Sequence, residues 1–200
     1  SLMVEEQLIA RGINDVRVLR AMSKVPREFF VLPEDMDRCY QDSPLELIKK
    51  QTISQPYVVA FMTQALRIKP EEKVLEIGTG CGYQTAVLAE MAAEVYTLEI
   101  IEELQKLAKK VLKKLGYTNI NFQLTTGRKG WVEAAPFDKI IVTAAGDKIP
   151  QPLLDQLAPG GRLVAPVKFA SGQKLVLVKK GQDGTITQEN ILDVVFVPLK

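Results

Sequence analysis

The chain has 200 residues, 46% hydrophobic and 25% charged, with 26 Lys and Arg against 24 Asp and Glu for a formal net charge of +2. This is the balance of one globular domain with a sizeable core, and it excludes a disordered segment and a strongly basic nucleic-acid or membrane-surface binder. There is no histidine, and Cys39 and Cys81 form no C-x-x-C pair, which argues against imidazole metal sites, His-based triads and a disulfide scaffold.

No metal, nucleic-acid partner or membrane partner is therefore expected. No apolar run reaches membrane-spanning length and no signal peptide opens the chain, so the expectation is a cytoplasmic monomer.

Residues 3–10 and 15–24 read as two short helices broken at Gly12, with Asp15 capping the second. Val18, Leu19, Met22 and Val25 fall on one face of it. Residues 25–31 lead into an irregular stretch holding Pro33 and Pro44. Residues 58–66 are apolar with a helical period, so Ser54 or Gln55 is expected to cap a helix with Pro56 in its first turn.

Residues 74–77 form a short apolar strand that stops at Gly78, Gly80 and Gly82, and residues 83–92 resume a helical period. Strand, glycine turn and helix is the layout that opens a nucleotide-binding βαβ unit. The third glycine comes one position early for G-x-G-x-x-G, because Tyr83 stands where it belongs. Residues 94–99 read as a second strand ending in Glu99, about 20 residues beyond the first glycine, where an acid meets ribose hydroxyls. An adenosyl cofactor follows as the first reading.

Residues 101–115 carry an apolar stripe, with Lys106, Lys109, Lys110, Lys113 and Lys114 on the solvated face, and Gly116 ends the helix. Residues 120–124 and 137–143 read as strands and 150–157 as a short helix. Residues 159–161 read as a turn and 162–167 as a fifth strand. Residues 174–180 and 186–197 alternate and read as an antiparallel pair at the sheet edge. Alternating β and α elements predict an α/β, doubly wound, mostly parallel sheet with helices on both faces.

Ligands of such sheets lie at the carboxyl ends of the strands. That gathers the glycine turn, Glu99, Thr125-Thr126-Gly127 and the stretch 143–146 into one crevice. A dinucleotide and S-adenosylmethionine both suit it; the early third glycine and the antiparallel edge lean towards a class I methyltransferase.

Here the chain resembles the protein-L-isoaspartate O-methyltransferase family. The resemblance is carried by Gln51-Thr52-Ile53-Ser54-Gln55-Pro56-Tyr57, by Val74-Leu75-Glu76-Ile77-Gly78-Thr79-Gly80-Cys81-Gly82-Tyr83-Gln84, and by Ala135-Pro136-Phe137-Asp138 with Ile141-Val142-Thr143-Ala144-Ala145. Phe196-Val197-Pro198-Leu199, Val25-Pro26-Arg27 and the opening Val4-Glu5-Glu6-Gln7-Leu8 add to it, so it spans essentially residues 1–200 as a single domain. Residues 1–70 would be a helical, substrate-side segment and 71–200 a Rossmann-like cofactor core.

The resemblance implies methyl transfer from S-adenosyl-L-methionine to the free carboxylate of L-isoaspartyl residues in damaged proteins, a repair reaction. It implies the cofactor on Gly78, Thr79, Gly80 and Gly82, with Glu99 on the ribose and Thr126 and Gly127 at the adenine. Glu76 would reach the methionine ammonium through water, Ser54 would orient the carboxylate, and Thr52 and Ile53 would shape the substrate site. Tyr57 and Trp131 are further candidates for its walls. A carboxylate is already ionised at neutral pH, so the absence of histidine is no obstacle.

The chain departs from the family pattern in four loops. Glu46-Leu47-Ile48-Lys49-Lys50 stands for Pro-Ile-Gly-x-Gly, Thr125-Thr126-Gly127 for Gly-Asp-Gly, Gly146-Asp147 for two prolines, and Lys168 for a glycine. The alternative readings are an inactive relative that binds protein segments and a methyltransferase with another acceptor.

Overall fold

The structure, a computed structural model, describes residues 2–200. Met3–Leu8 winds as a π-helix and Ile9–Arg11 as a 3-10 turn, where one α-helix over 3–10 was expected. Met3 and Leu8 are both buried and five residues apart, which matches the i→i+5 repeat of the wider turn. Helix α1 (Val16–Lys24) begins at Asp15, whose carboxylate accepts from the backbone N–H groups of Arg17 and Val18. It buries Val18, Ala21 and Met22.

After two 3-10 turns, Arg27–Phe30 and Pro33–Arg38, a small antiparallel hairpin pairs β1 (Leu45–Glu46) with β2 (Thr52–Ile53). Strands of two residues leave no alternation to read, so the sequence gives no sign of it. Helix α2 (Pro56–Leu66) starts with Pro56 in its first turn, as expected.

The Rossmann-like part then runs β3 (Lys73–Ile77), α3 (Tyr83–Ala89), β4 (Glu94–Glu99), α4 (Glu102–Lys114), β5 (Ile120–Leu124), β6 (Phe137–Val142), α5 (Gln151–Gln156), β7 (Leu157–Phe169), β8 (Gly172–Lys180) and β9 (Ile186–Val194). The sheet order is β5-β4-β3-β6-β7-β8-β9. Strands β3 to β7 are parallel, while β8 and β9 form the expected antiparallel edge. Residues 159–161, expected as a turn, lie inside β7. A Cβ at Gly161 would stand 2.7 Å from the Ala158 carbonyl oxygen and 2.9 Å from that of Asp138, so the glycine is what lets the strand pass this close.

The strand period of two divides the core. Val74, Val95, Ile141 and Val164 face a cluster built from α1, α2, α3 and α4. Leu75, Ile77, Ile140, Val142 and Leu163 face a second cluster with Leu153 of α5. Helices therefore cover both faces, and the carboxyl ends of β3, β4 and β6 open together. Among the described residues, no helix is long and apolar enough to cross a membrane.

Candidate active site

Strand β3 stops at Gly78, where the chain turns with φ +98. A Cβ there would lie 2.4 Å from the Thr143 hydroxyl, so no other residue fits without displacing Thr143. Gly78 and Thr79 donate their backbone N–H groups to the Leu98 carbonyl at 2.8 and 3.0 Å, tying the turn to β4. Gly80 has φ +55, and a Cβ on it would meet nothing within 4 Å. Gly82, at the head of α3, does a different job: a Cβ there would sit 3.2 Å from Ala108 and 3.1 Å from Leu112, so it lets α3 pack closely on α4.

Glu99 ends β4 and is 6% exposed. Its Oε2 accepts from the Gly80 N–H at 2.8 Å, and its Oε1 from the N–H groups of Ile100 and Ile101, both at 2.9 Å. The carboxylate is thus fixed against the glycine turn, with lone pairs left for further donors.

Three cavities meet here. The first, about 330 Å³, is lined by Gly78, Gly80, Leu98, Glu99, Thr125 and Gly127, with Lys49, Lys50 and Thr52 on the hairpin and residues 197–200 across it. The second, about 50 Å³, is lined by Thr52, Ile53, Ser54, Thr79 and Thr143. The third, about 420 Å³, is an outer groove between Arg11, Ser54, Gln55 and Tyr57 on one side and residues 192–196 on the other. Thr52 lines all three, and Ser54 lines the second and third.

Ser54 is held by its backbone. The guanidinium of Arg27, fully buried, donates to the Ser54 carbonyl at 2.8 Å and to that of Cys39 at 2.6 Å, and lies 4.7 Å over the Tyr83 ring. The cap residue of α2 is Gln55, and neither it nor Ser54 caps the helix through its side chain. That role falls to Asp42, which accepts from the Tyr57 N–H at 3.1 Å and pairs with Arg11. The Ser54 hydroxyl is therefore not engaged as a cap.

Several expected residues lie elsewhere. Glu76 is fully buried and lines none of the three cavities. Its Oε2 accepts the hydroxyls of Thr85 and Thr97 at 2.6 and 2.7 Å, and Thr97 in turn bonds Thr79 at 2.7 Å. Burial pushes its carboxyl up to about 8. Glu76 shares the parity of Val74, so it faces the helices rather than the strand ends. Thr126 gives its hydroxyl to the Lys200 carbonyl at 2.9 Å and does not itself line the first cavity, whereas its neighbours Thr125 and Gly127 do.

Tyr57 borders the outer groove with Arg11 stacked 3.5 Å over its ring. Trp131 packs edge-on against Tyr96 in the opposite core cluster and borders none of the three cavities. The sequence reading missed Lys49, Lys50, Arg27 and Asp42; the two lysines standing in the departed glycine-rich loop were the available signal.

Residues 2–200 match the model of the Protein-L-isoaspartate(D-aspartate) O-methyltransferase family. The chain belongs to this family. Protein-L-isoaspartate O-methyltransferase 1 of Syntrophobacter fumaroxidans is 54% identical over 197 residues, covering 98% of this chain and 92% of the relative. The Gloeobacter violaceus protein-L-isoaspartate O-methyltransferase is 51% identical over 197 residues, covering 98% and 96%. Among solved structures, a putative family member from Plasmodium falciparum in complex with S-adenosyl-L-homocysteine superposes with a TM-score of 0.85 at 27% identity, covering 99% of this chain and 96% of that one. The family membership extends through the altered loops at 46–50, 125–127 and 146–147.

Proposed function

We propose that the chain is a protein-L-isoaspartate O-methyltransferase that binds S-adenosyl-L-methionine in the 330 Å³ cavity and damaged protein segments in the outer groove. The observation that carries this reading is the junction at Thr52 and Ser54, where a cofactor cavity meets a surface groove. The cavity suits the cofactor: the open space beside Gly80 admits a ligand against the backbone, and Glu99 offers a fixed acceptor to ribose hydroxyls. When bound, the cofactor supplies the methyl group.

The chain's own residues then position and exclude. Gly80 lets a ligand approach the main chain, the bare Cα atoms of Gly78 and Gly127 make room for Thr143 and Ile77, and residues 197–199 line the cavity across from the turn. Thr52 and Ile53 shape the passage between the sites. The Ser54 hydroxyl, free of any capping duty, donates to the isoaspartyl carboxylate and aligns it for in-line attack. No general base is needed, because the acceptor is already ionised. Glu76 and Thr79 act at one remove, bracing the turn through Thr85 and Thr97.

In this reading residues 1–70 chiefly serve the substrate and 71–200 the cofactor within one domain, with Lys49, Lys50 and Thr52 reaching over to the cofactor cavity and residues 192–196 to the groove. The free cysteines Cys39 and Cys81 suit a reducing compartment such as the cytoplasm.

Ser54→Ala tests the site. A positioning hydrogen bond to a charged group is worth about 1.5–3 kcal/mol, so transfer to an isoaspartyl peptide should fall about 10- to 150-fold. Affinity for S-adenosylhomocysteine and the melting temperature should hold. A fall in stability with normal turnover per folded molecule would remove Ser54 from the reaction.

A further inference from the structure

The tip of the β1–β2 hairpin holds Lys49 and Lys50 with φ +58 and +56, two consecutive residues in the left-handed region that a Cβ disfavours. Such conformations persist only where the surroundings enforce them, and they gather at ligand clamps. The enforcement is visible. The Leu47 N–H donates to the Gln51 carbonyl at 2.7 Å across the tip, and Lys49 pairs with Glu103 in the first turn of α4 at 3.1 Å. Both lysines line the 330 Å³ cavity. The charge of Lys49 is thus taken, whereas Lys50 has no carboxylate partner within 4 Å among the described residues.

We propose that Lys50 is a cofactor-binding residue whose ammonium pairs with the amino-acid carboxylate of the bound S-adenosyl ligand. The inference rests on the cofactor reading above. Lys50 stands two residues before Thr52, which lines both the cofactor cavity and the Ser54 passage, so it borders the end where transfer occurs. The other lining cation without a carboxylate partner among the described residues, Lys200, is tethered through its carbonyl to Thr126, just past the carboxyl end of the edge strand β5.

The chemistry selects the partner anion. An ammonium paired with the isoaspartyl carboxylate would set a full charge against one that disappears when the ester forms, and would raise the barrier, whereas the neutral Ser54 hydroxyl on the non-attacking oxygen orients it at little such cost. The amino-acid carboxylate of the cofactor stays ionised before and after transfer. Pairing there strengthens binding without cost to the chemical step.

The test uses two ligands on the whole chain, by isothermal titration. S-adenosylhomocysteine carries the amino-acid carboxylate; 5′-methylthioadenosine has the same adenosyl thioether without it. Lys50→Met should weaken S-adenosylhomocysteine about 5- to 10-fold and leave 5′-methylthioadenosine within about twofold. Lys50→Arg should restore most of the loss, and added salt should narrow the gap between parent and Lys50→Met. Lys50→Gly separates charge from strain: it should show the same selective loss while its melting temperature rises. If Lys50→Met weakens both ligands equally, or neither, the inference is overturned while the cofactor reading stands. If the parent binds neither ligand, the cofactor reading fails and the inference falls with it.

Discussion

Glu76→Gln isolates the buried carboxyl beneath the glycine turn. Glu76 is fully buried; Oε2 takes two hydroxyls and Oε1 has no partner. Burial pushes its carboxyl from the ordinary 4.5 up to about 8; the Thr85 and Thr97 hydroxyls oppose the rise and the charge of Glu99 adds to it. A carboxyl whose pKa is higher folded than unfolded holds its proton more tightly in the folded state. Its stabilising contribution is complete below about pH 4.5 and is lost as pH climbs through about 8. The slope in that window reaches about 1.4 kcal/mol per pH unit, for a total on the order of 5 kcal/mol, of which about 4 falls between pH 5 and pH 8.5.

Glutamine has the same shape, accepts from both hydroxyls and stays neutral. At this chain length one kcal/mol moves Tm by roughly 2–4 °C, so the parent should lose about 10 °C relative to Glu76→Gln between pH 5 and pH 8.5. Thermal melts of both proteins across that range, read by circular dichroism, supply the comparison, and the titration of every other group cancels in the difference. Parallel curves would show that Glu76 ionises normally and refute the reasoning.

Glu99→Ala should weaken S-adenosylhomocysteine at least about 10-fold by titration calorimetry, because ribose hydroxyls lose an ionised acceptor and the Gly80 N–H loses its partner. Unchanged affinity would take Glu99 out of the site. Gly127→Ala would place a Cβ 2.0 Å from the Ile77 Cγ2, so it should cost about 1–3 kcal/mol of stability by denaturant unfolding and narrow the cavity beside it; an unchanged unfolding midpoint would show that Ile77 can turn away freely.

The parts of the site that were legible are those whose cause is local. The strand ending at Ile77, three glycines and an acid at the end of the next strand are all read within one βα unit, and the structure brings Gly78, Gly80 and Glu99 to one cavity. The antiparallel edge was legible because two β-prone segments flank the turn Gly181-Gln182-Asp183-Gly184, and they become β8 and β9. What escaped is set by contacts distant in sequence. The cap of α2 comes from Asp42, and the anchor of Ser54 from Arg27, 27 positions earlier. Thr126 is claimed by the carbonyl of Lys200, which no reading of its own loop would reveal. Glu76 lies behind the turn and not in the cavities, a placement that strand parity signals, since it goes with Val74 and not with Ile77.

The central claim is methyl transfer to an isoaspartyl carboxylate. Its direct measurement is incorporation of radiolabelled methyl from S-adenosyl-L-methionine into an isoaspartyl peptide, with the aspartyl peptide of the same sequence as control. The account predicts base-labile methyl ester on the isoaspartyl peptide, at least about 100-fold above the control, since the acceptor must be held in line. Equal labelling of both peptides, or none with cofactor bound, would contradict it.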